Sequence, residues 1–200
     1  TGHTGFKGSW LVAWLSILGA KVYGLSNEVP TEPSHFGLID SLIESDIRED
    51  IRSLKKVQEI IADIKPDYLF HLAAQSLVKV SYSDPILTWQ TNLMGTINVL
   101  ESLRTLQNKC SAVLITSDKC YDNVEWEWGY RETDNLGGAD PYSGSKAAAE
   151  MAIKSYIKSY FSSNSIIRIA TARAGNVIGG GDWSKYRLLP DWVRAWSSGE

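Results

Sequence analysis

Two hundred residues, 44% of them hydrophobic and 22% charged, suffice for one sizeable α/β domain with a buried core. A formal charge of −3, with no acidic or basic block, argues against nucleic acid or a membrane surface as the partner. No signal peptide is evident, no apolar run approaches the roughly 20 residues that span a bilayer, and two cysteines with three scattered histidines give neither a disulfide framework nor metal-ligand spacing; a reducing cytoplasm is expected.

The chain opens on Thr1-Gly2-His3-Thr4-Gly5-Phe6-Lys7-Gly8, and an apolar helix at residues 10–18 follows, ended by Gly19. Gly2 and Gly5 would let the backbone approach a pyrophosphate, and the helix N-terminus offers N–H groups and a positive dipole end to the same phosphates. Gly8 would let helix and sheet pack closely. Such a loop is expected to follow a β-strand, and residue 1 is not Met, so the expectation is a chain truncated before its first strand. It stops at Gly199-Glu200 in the polar tail of a helical pattern, and the expectation is that most of a second domain is missing.

A short strand is expected at 21–25. No Lys or Arg lies between Lys21 and Arg48, so nothing near the end of that strand is expected to take a 2′-phosphate, and NAD is favoured over NADP. Glu28, about 20 residues past the glycine loop, is a candidate for the ribose hydroxyls. A second strand is expected at 42–44, with Asp46-Ile47 just after it placed to meet an adenine ring.

Residues 53–64 carry Val57, Ile60, Ile61 and Ile64 at helical spacing, and Pro66-Asp67 ends that helix. A buried strand at 68–72 runs into Ala73-Ala74-Gln75, small residues that leave room for a cofactor at the carboxyl end of a parallel strand. His71 is read as a packed strand residue. A long helix at 85–106 shows Trp89, Leu93, Ile97, Leu100 and Leu103 on one stripe and carries Asn92 and Asn98. An apolar strand at 112–116 ends in Ser117-Asp118-Lys119. Strand and helix alternate throughout, the pattern of a Rossmann-type doubly wound parallel sheet.

Asp140-Pro141 reads as an N-cap and first helical residue for a helix at 141–161, which sets Tyr142 and Lys146 one turn apart on a shared face. A phenol, with an unperturbed pKa of about 10, is a poor base at neutral pH; an ammonium beside it favours the phenolate. The pair can take a proton from an alcohol, and Ser117-Asp118-Lys119 should converge on the same crevice.

On the Thr-Gly-x-x-Gly-Phe-x-Gly loop, the His-Leu-Ala-Ala strand end, the 117–119 triplet, Tyr-x-x-x-Lys and Asn176, the sequence resembles the extended short-chain dehydrogenase/reductase family over nearly its whole length. That resemblance implies hydride transfer at a sugar-nucleotide hydroxyl handled by Ser117, Tyr142 and Lys146. It implies bound NAD held by Gly2, Thr4, Gly5, Phe6, Lys7, Asp46, Ile47, Ala73, Ala74, Gln75, Asn92, Tyr142 and Lys146, and a homodimer. Residues 1–175 would form the NAD-binding domain, and 176–200 would begin the substrate region, with Asn176 and Arg187 on the diphosphate.

The Asp-Lys pair after Ser117, with Gly179-Gly180-Gly181-Asp182-Trp183 and Arg187-Leu188-Leu189-Pro190-Asp191, looks like the 4,6-dehydratase branch that acts on CDP-glucose. Resemblance then makes Lys119 the base at C5 and Asp118 the acid at C6. Reference pKa values favour the Lys⁺/Asp⁻ pair over the neutral pair by roughly 9 kcal/mol, which desolvation would have to offset. Alternatively, Lys119 stays cationic and stabilises an enolate. An epimerase or simple dehydrogenase of the same fold would not use that pair, and a non-catalytic NAD sensor would not need Tyr142 and Lys146.

Overall fold

A computed structural model describes residues 1–161 and 165–199, so Glu200 lies outside the described residues. In chain order the elements are α1 (Phe6–Ile17), β1 (Tyr23–Ser26), β2 (Ser45–Arg48), α2 (Leu54–Ile64), β3 (Tyr68–His71), α3 (Val78–Ser83), α4 (Pro85–Trp89), α5 (Gly95–Arg104), β4 (Cys110–Ile115), α6 (Pro141–Tyr160), β5 (Ile167–Ala172) and α7 (Leu188–Ser198). The chain divides into two compact units: Thr1–Arg48 with the segment from Asn176 onward, and Glu49–Gly175.

In the first unit β1 and β2 pair in parallel, Tyr23 with Ser45 through Ser26 with Arg48. The second strand therefore lies three residues later than expected, and Asp46 and Ile47 are within it. Residues 40–42 are taken up by a 3₁₀ turn whose bonding delays the extended stretch. The first helix also starts earlier, at Phe6, because Gly5 supplies the extended backbone of an N-cap and Ser9 N–H already bonds to Gly5 O at 2.8 Å. Val12 packs with Phe36 and Ile39, flanked by Ala13 and Val22.

In the second unit β3, β4 and β5 form a parallel sheet with β4 central; Leu69 pairs with Ala112, and Cys110 with Ile167 through Ile115 with Ala172. Val57 and Ile61 of α2 are buried where α2 meets α5, as the helical spacing predicts. Val99, Leu100, Leu103, Leu114 and Ile153 are fully enclosed.

The expected stripe on the helix at 85–106 is only half right. A π-helical turn at Gln90–Met94 separates α4 from α5, and its extra residue rotates the following face. Leu100 and Leu103 remain buried, but Trp89 is 38% exposed, and the inward positions at this end are Thr88, Asn92 and Thr96.

Gly8 sits where α1 passes the glycine loop: a Cβ there would lie 2.0 Å from Gly2 O. That atom is backbone, so relief requires a shift of the main chain. Gly8→Ala should lower stability by at least about 2 kcal/mol in a urea titration, whereas Gly37→Ala, with nothing within 4 Å of the added methyl, should stay within about 0.5 kcal/mol.

Candidate active site

The second unit holds Ser117, Asp118, Lys119, Tyr142 and Lys146, the side chains to which the sequence points. α6 starts as its sequence predicts: Asp140 caps it by accepting from Ser143 N–H at 3.0 Å and from the Ser143 hydroxyl at 2.6 Å, and Pro141 takes the first turn. Tyr142 and Lys146 are both buried on this helix, and Lys146 Nζ donates to the Ile115 carbonyl at 3.4 Å. The helix dyad is thereby set against the end of β4, the strand that delivers Ser117.

After β4 the chain turns sharply. Ser117 Oγ accepts from Lys119 N–H at 3.2 Å and donates to Asp118 Oδ1 at 3.0 Å, so the hydroxyl caps a single 3₁₀ turn at Asp118–Cys120. Asp118 N–H reaches the Ala174 carbonyl at 3.1 Å. Ser117 is buried, while the Asp118 and Lys119 side chains stand exposed. Cys120 is enclosed behind the turn, and burial pushes its thiol up to about 11.

Beyond β3, Gln75 N–H donates to Asn92 Oδ1 at 2.8 Å, and Asn92 Nδ2 donates to Gln75 O at 3.0 Å and to Ser145 Oγ at 2.9 Å. Asn92, in the π-helical turn, thus ties the end of β3 to α6 next to Lys146. Gln75 adds bonds from Nε2 to Thr88 Oγ1 at 2.9 Å and to the Leu77 carbonyl at 3.1 Å. Ala73 and Ala74 lie between these bonded residues and β3, small side chains at a strand's carboxyl end.

In the first unit Gly2 has φ +75°, a region that favours glycine, and its N–H bonds to Leu25 O at 2.8 Å. Gly5 caps α1 without a side chain to accept a first-turn N–H, so an anion can take that place. The donors there belong to the segment containing Phe6 and Lys7. Thr4 is buried, with its hydroxyl on the Glu28 carbonyl at 2.6 Å, so it is the backbone of Glu28 that meets the loop.

His3 lies between β1 and β2, with Nε2 2.9 Å from Asp46 Oδ1, Nδ1 3.0 Å from Ser26 Oγ, and its ring edge-on to Phe36. Burial pushes the imidazole below its ordinary value, against the pull of Asp46. The register also sets Arg48 opposite Ser26, at the tip of β1. The absence of a cation between residues 21 and 48 therefore does not keep one away from that strand end. Arg48 is nevertheless engaged, bonded to Asp46 Oδ2 at 2.6 Å and over the Phe36 ring at 5.3 Å. Ile47 pairs with Leu25.

Further along the same unit, Asn176 is exposed, and Arg187 forms an ion pair with Asp182 at 3.7 Å. Gly179 abuts the Phe6 ring, and Trp10 Nε1 donates to the Gly180 carbonyl at 2.9 Å.

The family model described as GDP-mannose 4,6-dehydratase covers residues 1–173. The chain belongs to that family. It is 49% identical, over its full length, to the CDP-glucose 4,6-dehydratase of Salmonella typhimurium and spans 57% of that relative. It is 28% identical to the CDP-paratose 2-epimerase of Salmonella typhi, covering 93% of this chain and 59% of that one. Among solved structures, the UDP-glucose 4-epimerase of Thermus thermophilus in complex with NAD superposes with a TM-score of 0.77 at 30% identity, over 92% of this chain and 57% of that one. The fold of this family member is accordingly α/β and Rossmann-type. No described helix is long and apolar enough to cross a membrane.

Asn92 is among the residues the family resemblance implies, and the structure adds its bonds to Gln75 and Ser145. Two further residues lie outside those expectations. Arg48 stands out only once the β1–β2 register is known. Glu150 was accessible in principle, since it continues the Tyr142–Lys146 face by one more turn.

His71 packs as expected: 3% exposed, with Nε2 3.1 Å from Thr96 Oγ1. Burial above all, with a smaller part from the charge of Lys146, holds its pKa well below the ordinary value. The unfolded chain binds a proton on this residue near pH 6.5 that the folded chain refuses, so stability falls as pH drops below about 6.5 and continues to fall toward the folded pKa. The contribution should approach about 1.4 kcal/mol per pH unit, and His71→Gln should remove that slope from the difference between urea titrations at pH 7 and pH 5.

Proposed function

We propose that the protein is a CDP-glucose 4,6-dehydratase, converting CDP-D-glucose to CDP-4-keto-6-deoxy-D-glucose and water with bound NAD. Membership of the dehydratase family and the 49% identity to an enzyme of that name support the reading. The observation that carries it is the geometry of the second unit: Lys146, one helical turn from Tyr142, bonded to the strand end whose next turn bears Ser117, Asp118 and Lys119.

The first unit's glycine loop, with Gly2, Thr4, Gly5, Phe6 and Lys7, would hold the pyrophosphate. Asp46 and Ile47 would face the adenosine, and Ala73, Ala74, Gln75 and Asn92 would border the nicotinamide side. Side-chain-free capping of α1 at Gly5 and the positive φ of Gly2 suit that group. When bound there, NAD would supply the hydride acceptor for C4 of the sugar and the donor for C6.

The chain's own residues move protons. Tyr142, as a phenolate steadied by Lys146, takes the proton of the C4 hydroxyl, and Ser117 hydrogen-bonds the oxygen that becomes the ketone. The 4-ketone acidifies C5–H. Lys119 takes that proton while Asp118 gives one to the C6 hydroxyl, which leaves as water. The exposure of Lys119 in its own unit favours a second assignment for this one residue, a cation that steadies the enolate while another group removes the proton.

Asn176 and Arg187 would meet the diphosphate of the substrate, with residues 176–200 opening the substrate region. The compartment would be the cytoplasm, the assembly a homodimer, and the product a precursor for deoxysugars of lipopolysaccharide.

The full-length protein, incubated with NAD and CDP-glucose, dTDP-glucose or GDP-mannose in turn, should give a 4-keto-6-deoxy product from CDP-glucose without net reduction of nicotinamide. Steady accumulation of reduced nicotinamide, or a C4 epimer, would overturn the dehydratase reading. Tyr142→Phe should lower kcat by about 10²- to 10⁴-fold. Lys119→Ala should abolish solvent exchange at C5 if Lys119 is the base; exchange at the parent's rate would overturn that assignment.

A further inference from the structure

Glu150 is 5% exposed on α6, one turn beyond Lys146, and a buried carboxylate costs stability unless it is fully paired. It is paired on three sides. Arg173 grips both oxygens as a fork, Nε to Oε1 at 3.1 Å and Nη2 to Oε2 at 3.0 Å, and the Thr116 hydroxyl donates to Oε1. The carboxylate in turn holds the Arg173 proton more firmly than usual.

Thr116 is the residue immediately before Ser117. Its main-chain N–H bonds to the Ala172 carbonyl at 2.9 Å, and Asp118 N–H bonds to the Ala174 carbonyl at 3.1 Å, so backbone bonds straddle Arg173. α6 is thus fastened to the end of β4 at two points one turn apart, Lys146 on the Ile115 carbonyl and Glu150 on the Thr116 hydroxyl.

The guanidinium of Arg173 continues outward. It lies 4.8 Å from the Tyr121 ring centroid, Tyr121 stacks on Tyr130 at 5.0 Å, Tyr130 meets Trp126 at 5.4 Å, and Arg173 Nη1 donates to the Glu132 carbonyl at 3.3 Å. The segment that follows the 117–119 turn is therefore stacked on the same cation.

We infer that Glu150 and Arg173 are positioning residues that hold the Ser117-Asp118-Lys119 turn in register with the Tyr142–Lys146 face, so that oxidation at C4 and elimination across C5–C6 occur on one bound sugar. Neither residue needs to touch substrate. This inference rests on the proposed dehydratase function. Its distinctive consequence is unequal damage: C4 oxidation depends on the helix dyad, whereas elimination also depends on the 118–119 pair being correctly placed, so a slack brace should slow the second step more than the first.

The test uses full-length Glu150→Gln, which keeps the shape and removes the charge, and Arg173→Lys, which keeps the charge and removes the fork. Expected for both are a kcat lower by about 10- to 100-fold, a KM within about 3-fold of the parent, and reduced nicotinamide accumulating during turnover where the parent shows none. If either single variant does not fold, Glu150→Gln combined with Arg173→Gln avoids a lone buried charge and should show the same partition. An unchanged partition and kcat per folded molecule, with only a lower unfolding midpoint, would make the pair merely structural and overturn the inference. A parent that forms no product from any of the three sugars would overturn the dehydratase reading and, with it, this one.

Discussion

Helix α6 turns a polar face inward, and much of the second unit is arranged to satisfy it. Tyr142, Ser143, Ser145, Lys146 and Glu150 are all buried alongside Ala147, Ala149 and Ile153. A helix with that face gains little from apolar burial, so each polar group must find a partner or impose a cost of one to several kcal/mol. Asp140 takes the Ser143 N–H and hydroxyl, and Asn92 bonds to Ser145. The Ile115 carbonyl accepts from Lys146, and Arg173 with Thr116 satisfies Glu150. These partners come from α6's own N-cap, the π-helical turn, the end of β4 and the stretch after β5, and Asn92 in turn holds Gln75 in the loop after β3. Satisfying one helix face therefore orders the carboxyl ends of all three strands at once.

The same requirement explains why the long helix at 85–106 departs from a simple amphipathic stripe. Asn92 must reach Gln75 on one side and Ser145 on the other, while Thr96 faces His71 and Leu100 stays in the core. These positions recur every fourth residue, slightly longer than the 3.6-residue α-helical repeat, and the wider π-helical turn at Gln90–Met94 limits their drift around the helix at the polar end. Trp89, left partly outside, lies instead against Gly144, its ring 3.3 Å from where a Cβ there would stand.

How much was legible in the sequence follows from what kind of signal each element leaves. Local signals were dependable: Asp140-Pro141 begins α6, Gly19 closes the helix before it with φ +81°, and the spacing of Val57 and Ile61 locates the buried face of α2. The alternation of strands and helices and the Tyr142–Lys146 face were likewise readable, because they depend on period alone. Features that depend on pairing between distant segments were not. The β1–β2 register that carries Arg48 to Ser26, and the start of β2 after a 3₁₀ turn, have no local marker. Glu150 was overlooked for a different reason: a glutamate in a helix is ordinarily a solvated residue, and only its phase relative to Lys146 argues otherwise.

In the first unit a network of another kind supports the glycine loop. His3 is enclosed between Ser26 at the tip of β1 and Asp46 within β2, and Asp46 also holds Arg48. The Asp46–Arg48 pair is partly exposed and contributes little to stability by itself. Its consequence is chemical: the carboxylate occupies the one cation the register brings to this strand end, so Arg48 is not presented there as an uncompensated charge. The absence of a Lys or Arg between residues 21 and 48, from which the bare sequence argues, is therefore not what sets the charge at this strand tip: the register carries Arg48 to Ser26, and Asp46 offsets it there.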